Sequence, residues 1–208
     1  MNLFGRILTG EQVEDAVVAT LQLWMETYLA EVERQTSRPL RSLPLPRSYQ
    51  VAQEFMKWPE EIIPAVVVVS PGTDGDPVMR GDGRYEATWT VGVAIVVAAA
   101  TRNDTHSLAM AYSAAVRAAL TQRPSLGGFA AGTTWGGESY DDLPSEDARS
   151  LQAGYQIFNV TVEDVMNARG GPPAAVPAVD PYVDPGDWPE VSADPDKRTS
   201  TVIKEEIT

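Results

Sequence analysis

His106 is the one histidine in a chain of 208 residues that has no cysteine. A serine–histidine–aspartate relay needs a histidine held between two partners, and a multi-histidine metal site needs more than one. His106 falls in the first turn of an expected helix, where a solvated imidazole is the simplest reading. Three other acids invite a metal: Asp74, Asp76 and Asp82, in GTDGDPVMRGDGR. They lack the ligand spacing of a calcium-binding loop and the glutamate that closes one. Glycine and aspartate are also what a long hairpin turn requires. Arg80-Gly81-Asp82 spells an adhesion tripeptide inside that turn, a match that chance explains. Glu60-Glu61 and Asp141-Asp142 are paired acids, but adjacent side chains on a strand diverge, so neither pair suits acid–base work. Gly127-Gly128 does not complete a dinucleotide fingerprint, and no phosphate-binding loop of the GxxxxGK[ST] type occurs. Trp24, Trp58, Trp89 and Trp135 sit on expected elements or their ends, as core or interface residues rather than a base-stacking platform. The expectation is a protein that is not an enzyme, with no cofactor and no metal.

Charge points the same way. The formal net charge is −13. Such a chain is repelled by a phosphate backbone, so tight nucleic-acid wrapping is not expected. The apolar stretch in MNLFGRILTG is too short for an export signal. Val91 to Ala100, the longest apolar run, is about half of the ~20 residues a membrane helix needs. We expect a soluble protein without an export signal, and the lack of cysteine fits a reducing compartment or a particle assembled in cytosol.

The elements can be read from periodicity. Thr9 and Gln12 have capping-box spacing. Val13, Ala16, Val17, Thr20, Leu21, Trp24, Tyr28 and Val32 follow at helical intervals, with Glu11, Glu14, Glu26, Glu31 and Glu33 largely off that stripe. This predicts an amphipathic helix ending near Thr36, ahead of Pro39. A short strand is expected at Tyr49–Phe55, and a β-branched strand from Pro64 to Ser70, closed by Pro71-Gly72. The long strand YEATWTVGVAIVVAAA, residues 85–100, alternates at first and is then apolar on both faces. Asn103, Asp104 and Thr105 are candidate caps for a second helix with the stripe Leu108, Ala111, Tyr112, Ala115, Val116, Ala119 and Leu120. Strands are expected at 132–141 and 151–165. The order α, β, β, α, β, β predicts an α+β fold: a mainly antiparallel sheet of four to five strands with two helices on one face. The helices cover one face of 85–100. Other chains are expected to cover part of the second.

Two segments look made for contact. RQTSRPLRSLPLPR, residues 34–47, carries Arg34, Arg38, Arg41 and Arg47 with no acid and three prolines. It reads either as a solvated loop or as a stiff basic arm that meets an acidic neighbour. At Gly170 the composition changes. Residues 170–208 hold eight acids against three bases, a net −5, and are rich in proline. They are expected to form an extended C-terminal arm beyond a body of residues 1–169. Tyr182 and Trp188 are its expected anchors, and Ile203 and Ile207 could select a site by adding a strand to a sheet edge.

The residues that carry a likeness are LTGEQVEDAVVATLQLWMETYLAEVER, RSLPLPRSY, KWPEEIIPAVVVVSPG, YEATWTVGVAIVV, AYSAAVRAALTQRPSLGG and WGGESYDDLPSEDARSLQAGYQIFNVTVEDV. Over roughly residues 8–166 they resemble the tail terminator (tail completion) proteins of long-tailed siphophages infecting actinobacteria. The resemblance implies a small α+β subunit of a homo-hexameric ring. Such a ring stops the polymerising tail tube and docks the head–tail connector or stopper protein. DNA passes through its lumen without specific binding, and no membrane is involved. The partners implied are the major tail tube protein and the connector, at the tail–neck junction of a virion assembled in the host cytoplasm. Another neck component, a head-completion or adaptor protein, is the nearest alternative, and a small enzyme a remote one.

Overall fold

A computed structural model describes residues 7–51, 59–144 and 149–167. The first helix, α1, spans Gly10–Gln35, with the expected capping box: Gln12 reaches back to the Thr9 backbone N–H at 3.2 Å. Its deepest row is Val13, Val17, Leu21, Met25, Leu29 and Glu33, each four residues after the last. Trp24, Tyr28 and Val32 flank that row and are only partly buried. The expected stripe matches the true one at Val13, Val17, Thr20 and Leu21 and departs from it from Trp24 onward, and Glu33, expected off the stripe, is on its axis.

Strands β1 (Ser48–Val51), β2 (Ala65–Thr73), β3 (Val78–Met79), β4 (Tyr85–Ala99), β5 (Gly132–Leu143) and β6 (Ser150–Val162) form a six-stranded sheet. Its order is β1-β2-β4-β6-β5, and β3 pairs with the start of β4. All pairs are antiparallel except β1 with β2. The fold is α+β, as expected. Its first strand stops at Val51 among the described residues, and residues 52–55 of the expected strand lie outside them.

Pro71-Gly72 does not close β2. The strand continues to Thr73 across a register shift between Val69 and Gly72, where a bulge tolerates a proline that cannot donate to a ladder. The bulge frees the Ser70 N–H, and the Glu14 carboxylate of α1 accepts it. A glutamate off the apolar stripe thus holds the helix to the sheet.

The second helix, α2, is Arg102–Gln122. Its cap is Thr101, not the residues expected one turn later. Thr101 Oγ1 accepts from the Asp104 N–H at 3.2 Å and donates to Asp104 Oδ2 at 2.8 Å, satisfying a backbone group that the helix leaves free. Both helices lie on one face of the sheet. Val66, Val68, Trp89, Val91, Val93, Ile95, Phe158 and Val160 meet the two helix stripes there. β6 passes close beneath α2 at Gly154, where a Cβ would stand 2.5 Å from Ser113 Oγ.

The other face answers the question posed by the long strand. Ala65, Val96 and Ala153 form a second small cluster, with Leu143, Leu151 and Tyr155 packed against it. Val67 and Ala94 are buried too. The C-terminal half of β4 is therefore closed on both faces within the chain, where partner chains had been expected to help. Its first half is different. Thr88, Thr90, Asn159 and Thr161 stay partly exposed, and Thr88 and Thr161 share a hydroxyl hydrogen bond of 2.9 Å across the ladder.

The two faces can be tested separately. Ile95→Asp buries a charge under the helices, and Val67→Asp buries one on the opposite face. Each should cost about 3–5 kcal/mol in denaturant unfolding. An unchanged midpoint for Val67→Asp would show that the second face is open to water.

Candidate functional site

The basic segment does not leave the body. α1 ends with Ser37 in the left-handed region at φ 55°, and the Arg38 N–H bonds the Glu33 carbonyl at 2.9 Å. This is the six-to-one closure that usually needs a glycine. The chain then turns over the Glu33 side chain. Its carboxylate accepts the Leu43 N–H at 2.6 Å, the Arg41 N–H at 2.9 Å and Ser42 Oγ at 3.4 Å. Arg41 takes φ 62° to fit. Glu33 is only 3% exposed. The Leu43 N–H above all, then the Arg41 N–H and Ser42, hold its carboxyl below the ordinary glutamate value, against the opposing effect of burial.

The segment then fastens to everything around it. Leu43 is buried in the main core. The Tyr112 hydroxyl, from the middle of α2, donates to the Pro44 carbonyl, and burial raises the Tyr112 pKa above that of an ordinary phenol. The Arg47 N–H bonds the Pro64 carbonyl at 2.7 Å as the chain enters β1.

The four candidate arginines are separated by this path. Arg34 pairs with Glu31 on the last turn of α1, at 2.5 and 2.8 Å, and holds the Glu31 carboxyl down to about 2. Arg38 donates to the Ser107 carbonyl and hydroxyl at the start of α2, at 3.1 and 2.5 Å. Arg41 is exposed and forms no ion pair among the described residues. Arg47 lines a cleft with Tyr112, Pro64, Val97 and Arg149 at the far end of the sheet. Arg34, Arg38 and Arg41 thus cluster at the end of α1, and Arg47 lies beyond them. The candidates Tyr182, Trp188, Ile203 and Ile207 lie outside the described residues, as does Trp58.

Beside the clamp is an apolar groove between α1 and the segment. Leu29, Ala30, Leu40, Leu43, Pro44 and Leu45 line it. Leu40 is 83% exposed and Leu45 48%. A clamp this tight, holding apolar side chains toward water, presents them in one fixed geometry.

The histidine, the other acids and the tryptophans lie elsewhere on the body. His106 is exposed; its Nδ1 shares a 3.0 Å hydrogen bond with Gln152 Oε1, and its ring meets Tyr140 edge to face. Asp142 pairs with Arg102 at 2.5 Å and accepts from Gln152 at 3.1 Å. Asp82 caps its own turn by accepting the Arg84 N–H at 3.0 Å, and Arg80 pairs with Glu86 and Glu163. No group of three metal-ligating side chains occurs among the described residues, and no helix among them is long and apolar enough to cross a membrane. Trp89 is core, Trp24 lies under Arg123 at 3.9 Å, and Trp135 beside Arg117 at 4.9 Å.

Sequence reasoning missed Glu33 and Glu14. The signal for Glu33 was available, since it completes the four-residue row from Val13. For Glu14 no local signal existed, because its partner is 56 residues away.

No family model matches the chain, and no curated protein matches it. Among solved structures, it is similar to a chain of a virion of a native gene transfer agent particle. The identity is 18%, over 71% of this chain and 97% of that one, with a TM-score of 0.41.

The clamp has a pH signature. Because the folded pKa of Glu33 is depressed, its contribution is complete above the ordinary glutamate value and is lost as pH falls through the folded one. Glu33→Gln should lower the melting temperature at pH 7, and its gap from wild type should narrow as melts are repeated toward pH 3. A gap that stays constant would mean that the ionised carboxylate is not what holds the segment.

Proposed function

We propose that this chain is a structural virion protein, the tail terminator of a long-tailed phage. In this reading it forms a homo-hexameric ring that stops the tail tube and joins it to the head–tail connector or stopper protein at the neck. Assembly takes place in the host cytoplasm, and DNA slides through the ring without specific binding. The sequence resemblance supports this reading, and so does the agreement between the small α+β subunit it implies and the fold. The C-terminal segment, 170–208, serves in this reading as an arm from the body to another subunit.

The observation that carries the proposal is the open part of the second sheet face. From Thr88 and Thr90 across Thr161 and Asn159 to Ile157, which is 50% exposed, the sheet presents uncharged side chains. The charges of this face stand at its margins, in Glu86 and Glu163 with Arg80 at one end and in Asp141 on the edge strand β5, opposite Ala153. On a chain of net charge −13 that is an unusual place to find no charge. Centres of protein interfaces are depleted in charge, whereas solvated faces are not. Negative charge elsewhere on the subunit would keep DNA from adhering to a ring.

Negative-stain microscopy of the purified protein should show rings of six with a central opening. Ile157→Glu should abolish them while changing monomer stability by no more than about 0.5 kcal/mol, as exposed substitutions do. Rings that survive Ile157→Glu would remove this face from the interface. A wild-type protein that stays monomeric at every concentration would refute the ring.

A further inference from the structure

The two ends of the sheet differ in charge. At one end Arg47 and Arg149 line a cleft whose walls include Ile63, Val97 and Leu108, with no carboxylate among its described lining residues. Glu61, two residues before Ile63, is exposed and outside that lining. At the other end the turn between β2 and β3 carries Asp74 and Asp76. Both are exposed, and neither carboxylate has a hydrogen bond or ion pair among the described residues. We infer that the Asp74-Gly75-Asp76 turn of one copy docks in the Arg47–Arg149 cleft of the next. This contact rests on the proposal that the chain assembles, and adds which side chains join the copies.

The chemistry of the two surfaces matches. A guanidinium presents five N–H donors in a plane, so it can take a carboxylate through two parallel hydrogen bonds while keeping another partner. Apolar walls lower the local dielectric and strengthen such a pair once a docked loop covers it. The turn in its place is anchored by backbone. Gly75 takes φ 73°, and the Asp74 N–H bonds the Thr88 carbonyl at 2.7 Å. The arginines nearby do not neutralise it. Arg80 is paired with Glu86 and Glu163, and Arg84 with Asp82 and Asp164. Val78 and Met79 follow the turn and are both exposed. Two free carboxylates beside apolar side chains thus face two guanidiniums on apolar walls.

Within one copy the cleft and the turn cannot meet. β2 starts beside the cleft at Ala65 and ends beside the turn at Thr73, nine residues and so about 30 Å of strand. β4 spans a comparable distance, from Thr88 against the turn to Val97 and Ala98 at the cleft. Both strands are held in the sheet, so neither end can fold toward the other. A contact between opposite ends of successive copies is heterologous, and it closes into a ring when the rotation between copies permits. The turn also borders the uncharged sheet surface, since Gly72 pairs with Thr90 and Thr73 with Trp89. The docked turn therefore continues the surface proposed above for contact between copies.

Charge exchange between two variants of the full-length protein, read by sedimentation velocity, tests the contact. One variant carries Asp74→Arg and Asp76→Arg, the other Arg47→Glu and Arg149→Glu. Each alone should stay monomeric at concentrations where wild type assembles. An equimolar mixture should assemble again, because in a ring of alternating copies every turn meets a cleft of opposite charge. Assembly of the turn variant alone, or a mixture of folded variants that stays monomeric, would overturn the docking. Where the cleft substitutions unfold the body, Asp74→Asn with Asp76→Asn on the exposed turn keeps the test. Self-association should then weaken at least about tenfold, and an unchanged association constant rules the contact out. Microscopy of the same samples separates the two proposals. Rings that ignore these substitutions remove the docking and leave the ring. Charge-dependent assembly into open chains removes the ring and leaves the docking. A wild type that stays monomeric removes both.

Discussion

A single carboxylate sets the layout at one end of this molecule. Glu33 occupies the last place of the buried row on α1, where a leucine would have continued the core. Its backbone carbonyl closes the helix, and its side chain takes the N–H groups of a segment that forms no secondary structure. Buried backbone donors left without a partner are costly, so a proline-rich segment can be packed only if something accepts them. With the turn fixed, Leu43 enters the core, Pro44 meets Tyr112 on α2, and the chain is delivered to β1 in register beside β2. The same clamp leaves Leu40 and Leu45 facing outward and places Arg34, Arg38 and Arg41 around one end of α1.

Glu14 does the corresponding work at the sheet. The bulge in β2 removes Ser70 from the ladder, and a helix carboxylate replaces the missing partner. Two glutamates of one helix thus satisfy two irregular stretches of backbone. Two surfaces remain exposed beside these attachments: the uncharged part of the second sheet face and the groove at the clamp. The sheet face presents uncharged side chains, and the groove presents Leu40 and Leu45 held toward water.

Much of the fold was legible from the sequence because local periodicity encodes it. Both helices, the long strand, the β-branched strand and the late pair of strands fall where alternation and helical spacing put them, to within a few residues. The misses share a cause. Thr101 was passed over as a cap because three equally good capping residues follow it. The parallel pairing of β1 depends on a crossover, not on its four residues. The stripe on α1 holds through Leu21 and then follows Trp24 and Tyr28, whereas the core follows Met25 and Leu29. In the structure those aromatics lie at the edge of the core, with Arg123 stacked on Trp24 and Tyr28 bonded to Gln122. The basic segment looked free because its four charges were visible in the sequence, whereas its attachment is through backbone groups, which sequence does not display.

The central claim is that copies meet through the uncharged part of the sheet and leave the outer face of α1 in water. Hydroxyl-radical footprinting at two protein concentrations, below and above assembly, measures this residue by residue. The account predicts that oxidation of Ile157 falls several-fold on assembly, while Leu23, exposed on the outer side of α1, is oxidised equally in both states. Protection of Leu23 with Ile157 unchanged would contradict it.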